Sequence, residues 1–138
     1  MKEIIVPMRN FLPLEDPQWF DENAIEEIVT LLQLNGPLPL VPVISYKDKF
    51  LLTDGHSRTI KQAILGAKTQ LIRLIENEKD SRLYGTGALF NSFTVQEIRK
   101  NYAKVYSTEL YKEGIFSIYD YPVMKHRSKI LKLAGIRQ

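Results

Sequence analysis

Seven consecutive residues, Thr53 to Thr59, combine the residue types that bind a phosphate group. The run reads Thr-Asp-Gly-His-Ser-Arg-Thr and follows an apolar segment that predicts a strand. Gly55 allows a sharp turn and a close approach of the backbone to a ligand. His56 and Ser57 can donate hydrogen bonds, and Arg58 carries a planar guanidinium suited to phosphate oxygens. A helix that starts here would add unpaired N–H groups and a partial positive charge, so the run predicts phosphate binding.

Asp54 is the one member of this run whose charge opposes phosphate. A carboxylate repels phosphate unless it caps the helix or holds a divalent cation between the two groups. Two interpretations therefore stay open. In the first, Asp54 is a Mg²⁺ ligand in a phosphate site. In the second, Asp54 is only a helix cap, His56 and Ser57 are exposed, and Arg58 pairs with a nearby acid.

The surrounding pattern predicts strands and helices on both sides of this turn. Apolar and β-branched runs indicate strands at residues 4–6, 41–46, 50–53 and 69–75. Lys47-Asp48-Lys49 separates the second strand from the third, which is typical of a hairpin loop. An apolar helical face follows Asp21, a suitable N-cap, and another follows the turn and ends at Gly66. This order predicts an α+β fold with a mixed sheet.

The second half of the chain is predicted to begin with a loop and to end in helices. Polar residues 77–80 and the segment Gly85-Thr86-Gly87 break any periodicity, so we expect a loop of about 15 residues that forms a mobile lid. Thr94 opens a capping-box pattern, which predicts a helix from that residue. A basic helix is expected over residues 123–134, after a proline.

These elements divide the chain into two regions of one domain. Residues 1–80 contain the strands and the turn, and residues 81–138 contain the loop and a helical extension packed on the same domain. At 138 residues, the chain has a common size for a single domain. Several large aromatic residues are expected in the core: Trp19, Phe20, Tyr102, Tyr106, Phe116 and Tyr119.

Composition excludes several classes of protein. The chain has no cysteine, so disulfides, thiolate metal sites and a cysteine nucleophile are excluded. No apolar run approaches the ~20 residues of a membrane span, and the first residues do not form a signal peptide. We therefore expect a cytoplasmic protein without a membrane partner. The net charge of +3 leaves nucleic acid possible but not favoured, because a basic face such as that around His126 is more often solvated surface.

The turn and its surroundings resemble the ParB/sulfiredoxin superfamily. The resemblance covers roughly residues 4–78. It rests on the helix before the hairpin, Gly36, Pro42-Val43-Ile44, Leu51 to Thr59, Gly66-Ala67 and the strand at 71–75. It implies a small mixed sheet flanked by helices, with a nucleotide bound through its phosphates at the helix start. CTP, ATP or ADP is the nucleotide in different branches. The cofactor-binding residues implied by the resemblance are Gly55, His56, Ser57, Arg58 and Thr59.

Two branches of this superfamily fit the chain poorly. Sulfiredoxin works through a cysteine in its phosphate turn, and the absence of cysteine excludes that activity. ParB partition proteins have an arginine-rich turn and a following helix-turn-helix domain for DNA. The residues after the turn region show one well-marked helix before the basic tail, so a partition role is not favoured.

A third branch, the ADP- or ATP-dependent kinases of free serine, has an Asp-Gly-His-x-Arg turn like Asp54 to Arg58. Its catalytic glutamate lies in a proline-flanked loop, a position that Glu15 matches in Leu12-Pro13-Leu14-Glu15. This resemblance implies that Glu15 and Asp54 are catalytic, with Asp54 also a Mg²⁺ ligand. Glu15 is otherwise a solvated loop acid beside Asp16. Two functions stay open: a phosphotransferase acting on a small hydroxyl substrate such as free serine, or a non-catalytic ParB-like nucleotide-binding or DNA-associated regulatory module.

Overall fold

The computed structural model describes residues 2–34, 36 and 38–137, apart from the side chains of Val105 and Tyr106. Its α-helices are, in chain order, α1 (Ile25–Gln33), α2 (His56–Ile64), α3 (Glu78–Tyr84), α4 (Ala88–Ser92), α5 (Val95–Asn101), α6 (Ser107–Lys112) and α7 (Arg127–Leu133). A π-helical segment, Tyr102–Tyr106, joins α5 to α6. None of the helices in the described residues is long and apolar enough to cross a membrane.

Five strands of the described chain form one mixed sheet. They are β1 (Lys2–Pro7), β2 (Phe11–Leu12), β3 (Val41–Tyr46), β4 (Lys49–Leu52) and β5 (Thr69–Leu74), in the spatial order β1-β5-β3-β4-β2. β1 runs antiparallel to β5, and β3 runs antiparallel to β4. β3 is parallel to β5, and the short β2 is parallel to β4. The expected α+β fold, with a small mixed sheet, flanking helices and a helical C-terminal extension, is confirmed.

Apolar clusters cover both faces of the sheet, because successive side chains of a strand point to opposite faces. In β3, Val43 belongs to the larger cluster and Ile44 to the smaller one. The larger cluster also contains Tyr121 and Ile130, and the smaller one contains Ile98 of α5. Residues beyond position 80 therefore share both clusters with the sheet. The division of this one domain into two regions at residue 80 stays a prediction.

The hairpin between β3 and β4 is tighter than predicted. Lys49 was expected in the loop, but it pairs with Tyr46 in the ladder, so the connection is the two residues Lys47 and Asp48. Lys47 has a positive φ of 56°. Two-residue connections with left-handed residues match the twist of paired strands, which explains the shorter loop.

The predicted long loop after residue 76 is wrong. α3 begins after Asn77, whose side-chain oxygen accepts a hydrogen bond from the N–H of Asp80 at 2.9 Å, and α4 follows a short connection at Gly85-Thr86-Gly87. Ser81 is the buried residue of α3, and α4 has none. These helices lack the apolar stripe on which sequence-based prediction depends.

The predictions for the later helices are partly confirmed. Thr94 Oγ1 accepts a hydrogen bond from the N–H of Glu97, and a Glu97 carboxylate oxygen accepts one from the N–H of Thr94, so the capping box opens α5 as expected. The last helix begins later than predicted. Pro122–His126 forms a 3-10 turn, an arrangement frequent at the start of helices, and α7 starts at Arg127.

Three aromatic residues expected in the core are exposed instead. Trp19 is 65% exposed, Phe116 is 56% exposed and Tyr119 is 44% exposed, whereas Phe20 and Tyr102 are buried. The side chain of Tyr106 lies outside the described structure. Residue type predicts average burial but does not say which face of a short turn meets the core.

Candidate functional site

Gly55 forms the turn between β4 and α2, and the surrounding atoms leave room only for glycine there. Its φ of 82° and ψ of 31° are left-handed, a conformation that other residues rarely adopt. A Cβ atom on Gly55 would lie 2.5 Å from Cγ1 of Val41 and 2.7 Å from a terminal nitrogen of Arg58. Backbone conformation and close packing therefore both exclude a larger side chain.

The start of α2 is open at its N-terminal end. Gly55 is the N-cap residue, and no side chain in the described part of the chain forms a capping hydrogen bond there. The first N–H groups of a helix lack partners within the helix, and the helix dipole adds a partial positive charge at this end. The sequence interpretation in which Asp54 is only a cap of this helix is wrong.

A pocket of about 350 Å³ lies at this helix start. Residues Asp54 to Arg58 line it, together with Glu15, Phe20 and Glu27 among others. Glu15 is separated from Asp54 by a helix and a hairpin in sequence, yet both carboxylates line the same pocket. The structure thus combines an open helix start with two acidic side chains that the sequence singled out.

Asp54 is the centre of the polar contacts at the pocket. Its Oδ2 atom accepts a hydrogen bond from the hydroxyl of Thr86 at 2.7 Å and lies 3.5 Å from Nη2 of Arg58. A Cβ atom on Gly87 would approach Cγ of Asp54 to 2.9 Å, so the backbone of the Gly85-Thr86-Gly87 segment packs against this carboxylate. The segment that the sequence suggested as a lid therefore contacts the predicted site.

Arg58 is held at two points of its guanidinium. Nη1 donates a hydrogen bond to the main-chain oxygen of Pro39 at 2.7 Å, and Nη2 contacts Asp54. The side chain is 19% exposed and lines the pocket. It pairs with an acid, as one sequence interpretation held, and it also presents a fixed positive charge beside the helix start.

The surroundings of Glu15 in the pocket raise its pKa. Partial burial disfavours its charged form, and the nearby carboxylates of Asp54 and Asp16 add repulsion, so the pKa lies above its ordinary value. The residue keeps enough exposure to exchange protons with solvent. Tyr121 fixes the loop that carries Glu15, since its hydroxyl donates a hydrogen bond to the main-chain oxygen of Glu15 at 2.7 Å.

His56 lies in the interior, against the aromatic rings of Phe20 and Tyr121. Its Nε2 accepts a hydrogen bond from the N–H of Leu14 at 3.0 Å, which places the ring hydrogen on Nδ1. Burial lowers the pKa of His56 to about 3, so the ring is neutral at physiological pH. The side chain therefore positions the loop that carries Glu15, and its contribution to an anion would come from its backbone N–H.

Ser57 and Thr59 differ in what they offer a ligand. The hydroxyl of Ser57 donates a hydrogen bond to Glu27 of α1 at 3.0 Å, which ties α2 to α1 beside the pocket. Thr59 is fully buried, does not line the pocket, and donates its N–H to the main-chain oxygen of Gly55. A direct role for Thr59 in cofactor binding stays a prediction, and its position in the structure is that of a core residue.

A Mg²⁺ ion fits the donor atoms at this pocket when a phosphate is present. No group of three or more histidine, cysteine or acidic residues in the described part of the chain could hold a metal by itself. Mg²⁺ commonly uses one or two carboxylates and completes its six positions with phosphate oxygens and water. The pocket supplies three carboxylates, those of Glu15, Glu27 and Asp54, and Asp54 is the one that the sequence indicates as a Mg²⁺ ligand.

Sequence reasoning missed the contributions of Thr86, Glu27 and Tyr121 to this site. Gly85-Thr86-Gly87 carried a signal, because paired glycines indicate a close backbone approach, but its partner Asp54 lies 32 residues away in the chain. Tyr121 lies 106 residues from Glu15. No short sequence pattern predicts contacts between residues that lie so far apart along the chain.

The fold and the pocket define an α+β domain with an open helix start in an acid-lined cleft. No family model matches the chain, and no curated protein matches it. Among solved structures, it is similar to the C-terminally truncated chromosome-partitioning protein ParB from Caulobacter crescentus in complex with CTP-gamma-S. The two are 15% identical with a TM-score of 0.43, over 97% of this chain and 77% of the other. Membership of the ParB/sulfiredoxin superfamily stays a prediction from the sequence.

Proposed function

We propose that this protein binds a nucleotide through its phosphates at the start of α2. The observation that carries the proposal is the uncapped helix start at Gly55, which opens into a pocket of about 350 Å³. Backbone N–H groups at such a position bind anions without special side chains, because the unpaired donors and the helix dipole act together. Arg58 adds a positive charge that Pro39 and Asp54 hold in place.

The acidic residues of the pocket give the binding a requirement for a divalent cation. Asp54, Glu15 and Glu27 line the same pocket as the helix start, and their charges repel a bare triphosphate. Asp54, with Glu15 near, would hold a Mg²⁺ ion together with the phosphate, and the ion would supply positive charge against this repulsion. The ion supplies charge neutralisation on the phosphate oxygens, and the helix start and Arg58 orient the phosphate chain.

We further propose transfer of a phosphoryl group from ATP or ADP to a small hydroxyl substrate such as free serine. The support is the position and raised pKa of Glu15, since a general base works best when its pKa approaches the working pH. Glu15 takes the proton of the acceptor hydroxyl, the new O–P bond forms, and the nucleotide leaves with the electrons of the broken bond. Tyr121 and His56 hold the loop that positions Glu15.

Nucleotide-induced stabilisation tests the binding proposal. ATP, ADP, CTP and GTP should each be added to the purified chain with and without Mg²⁺ while the unfolding temperature is measured. A ligand at a concentration 100 times its Kd stabilises the folded state by about 2.7 kcal/mol, which gives a clear shift. Arg58→Ala should lose the shift, and Arg82→Ala, an exposed arginine on α3, should keep it. No shift with any nucleotide would contradict the proposal.

Glu15→Gln tests the transfer step separately. The variant keeps the shape of the side chain but has no carboxylate, so we expect transfer to free serine to fall at least about 100-fold while nucleotide affinity changes little. Glu113→Gln, at an exposed position outside the pocket, is the matched control. Nucleotide binding without turnover in the wild type would instead support the non-catalytic alternative, whose sign is DNA or protein binding that depends on nucleotide.

A further inference from the structure

One carboxylate oxygen of Asp54 contacts both the hydroxyl of Thr86 and the guanidinium of Arg58. Thr86 Oγ1 donates its proton to Asp54 Oδ2 at 2.7 Å, and Nη2 of Arg58 lies 3.5 Å from the same oxygen. The hydroxyl proton thus points at a carboxylate, which leaves the lone pairs of Oγ1 available. A hydroxyl, a carboxylate and a guanidinium are therefore neighbours, and the last two line the pocket.

The backbone holds Thr86 in this place from both sides. A Cβ atom on Gly85 would lie 2.5 Å from the main-chain oxygen of Ser81, so Gly85 packs tightly against α3. Gly87 has a φ of 89° and packs against Asp54. Both neighbours of Thr86 need to be glycine, and Thr86 itself is exposed to solvent. The arrangement holds the hydroxyl of Thr86 against Asp54, which lines the pocket.

The other hydroxyl side chains around the turn are less exposed than Thr86. Thr53 Oγ1 donates a hydrogen bond to the main-chain oxygen of Pro42, and Ser57 Oγ donates one to Glu27. Thr59 is fully buried. Ser57 and Thr86 each donate a hydrogen bond to a carboxylate, but Ser57 is only partly exposed, whereas Thr86 is exposed.

We propose that Thr86 is a phosphorylation site of this chain, modified by the chain itself from a nucleoside triphosphate bound at the start of α2. This inference rests on the proposed nucleotide binding. Thr86 Oγ1 attacks the terminal phosphorus, the O–P bond forms, and the bond from that phosphorus to the diphosphate oxygen breaks. The hydroxyl proton goes to Asp54 Oδ2, and the nucleoside diphosphate leaves with the electron pair.

The test is incubation of the full chain with Mg²⁺ and ATP, CTP or GTP, followed by intact mass measurement and peptide mapping. We expect a mass increase of one phosphoryl group, located at Thr86. Thr86→Val should remove it, and Thr86→Ser should retain it because the hydroxyl is kept. Ser92→Ala, which deletes an exposed hydroxyl on α4, should label like the wild type. Asp54→Asn should slow the labelling at least about 100-fold, because the proton acceptor is lost.

Two results would overturn the inference, and they differ in what they say about the site. If calorimetry shows nucleotide binding while no phosphate reaches Thr86, or while phosphate maps to another residue, the acceptor role of Thr86 is wrong and the proposed binding stands. If no nucleoside triphosphate binds, the proposed function and this inference both fail. A Thr86→Val variant that does not fold leaves the mapped position in the wild type and in Thr86→Ser to decide.

Discussion

The hydroxyl of Tyr121 donates a hydrogen bond to the main-chain oxygen of Glu15 at 2.7 Å, so a C-terminal residue holds the loop of the proposed base. Tyr121 is fully buried, and its ring also packs edge-on against Phe20. Burial, with the charge of Glu15 as a second cause, raises the pKa of Tyr121 above its usual range, so the phenol keeps its proton. The C-terminal segment is thus part of the site.

Removal of this hydrogen bond should destabilise the protein and loosen the loop that carries Glu15. Tyr121→Phe keeps the buried ring but leaves the Glu15 oxygen without its donor, so the free energy of unfolding should fall by about 1–2 kcal/mol. Urea denaturation measures this change. Tyr119→Phe removes an exposed hydroxyl nearby in sequence and should change stability little. Equal effects of the two substitutions would contradict the assigned role of Tyr121.

Stability should fall as the pH drops below neutral, because His56 is buried in its neutral form. Its pKa is lowered from 6.5 to about 3, so the unfolded state binds a proton between these values and the folded state does not. The stabilisation is present above pH 6.5 and is lost as the pH falls. A lowering of about 2 kcal/mol is expected at about pH 5 relative to about pH 8.

Urea denaturation at both pH values, with matched variants, checks this prediction. His56→Gln retains an acceptor for the Leu14 N–H and should remove most of the difference between the two pH values. His126→Gln alters a partly exposed histidine near Glu22 and should leave most of the difference in place. A wild-type difference that survives in His56→Gln would assign the pH dependence to other groups.

Gly55→Ala should be more harmful than an alanine at an unhindered glycine of similar conformation. Left-handed backbone at a residue with a Cβ costs about 1–2 kcal/mol, and the added Cβ would also clash with Val41 at 2.5 Å. Gly114 has a φ of 77° with no atom within 4 Å of an added Cβ, so Gly114→Ala isolates the conformational part. The difference in unfolding free energy between the variants measures the clash. If Gly55→Ala and Gly114→Ala lower the unfolding free energy equally, the clash has no cost, and β3 and α2 can move apart to accommodate the added Cβ.

Asp54→Asn should change the cation dependence of nucleotide binding in two opposite ways. Without Mg²⁺, removal of the negative charge relieves repulsion, so the nucleotide-induced shift in unfolding temperature should increase. With Mg²⁺, loss of the carboxylate ligand should decrease the shift relative to the wild type. Both measurements use the same titration series. If Mg²⁺ has the same effect on the variant and the wild type, the cation is held elsewhere.

Several features of the fold were predictable because a few neighbouring residues determine them. The Gly55 turn needs a residue free of a Cβ, and the Thr94 capping box needs two side chains three residues apart, so both are visible in the sequence. α3 was not predicted, because its surface is mostly polar and a hydrophobic period is absent. Asn77, its N-cap, is a signal that could have found it.

The sequence by itself determined the position of the turn, the residue types around it and the exclusion of cysteine chemistry, since these depend on composition and on backbone geometry over a few residues. Tertiary structure decided which side chains face the pocket. It turned the His56 ring inward to Leu14, brought Thr86 to Asp54 and placed Tyr121 under Glu15. These contacts depend on how the helices pack on the sheet. That packing is determined by burial of the whole apolar surface, so the contacting residues have no fixed spacing along the chain.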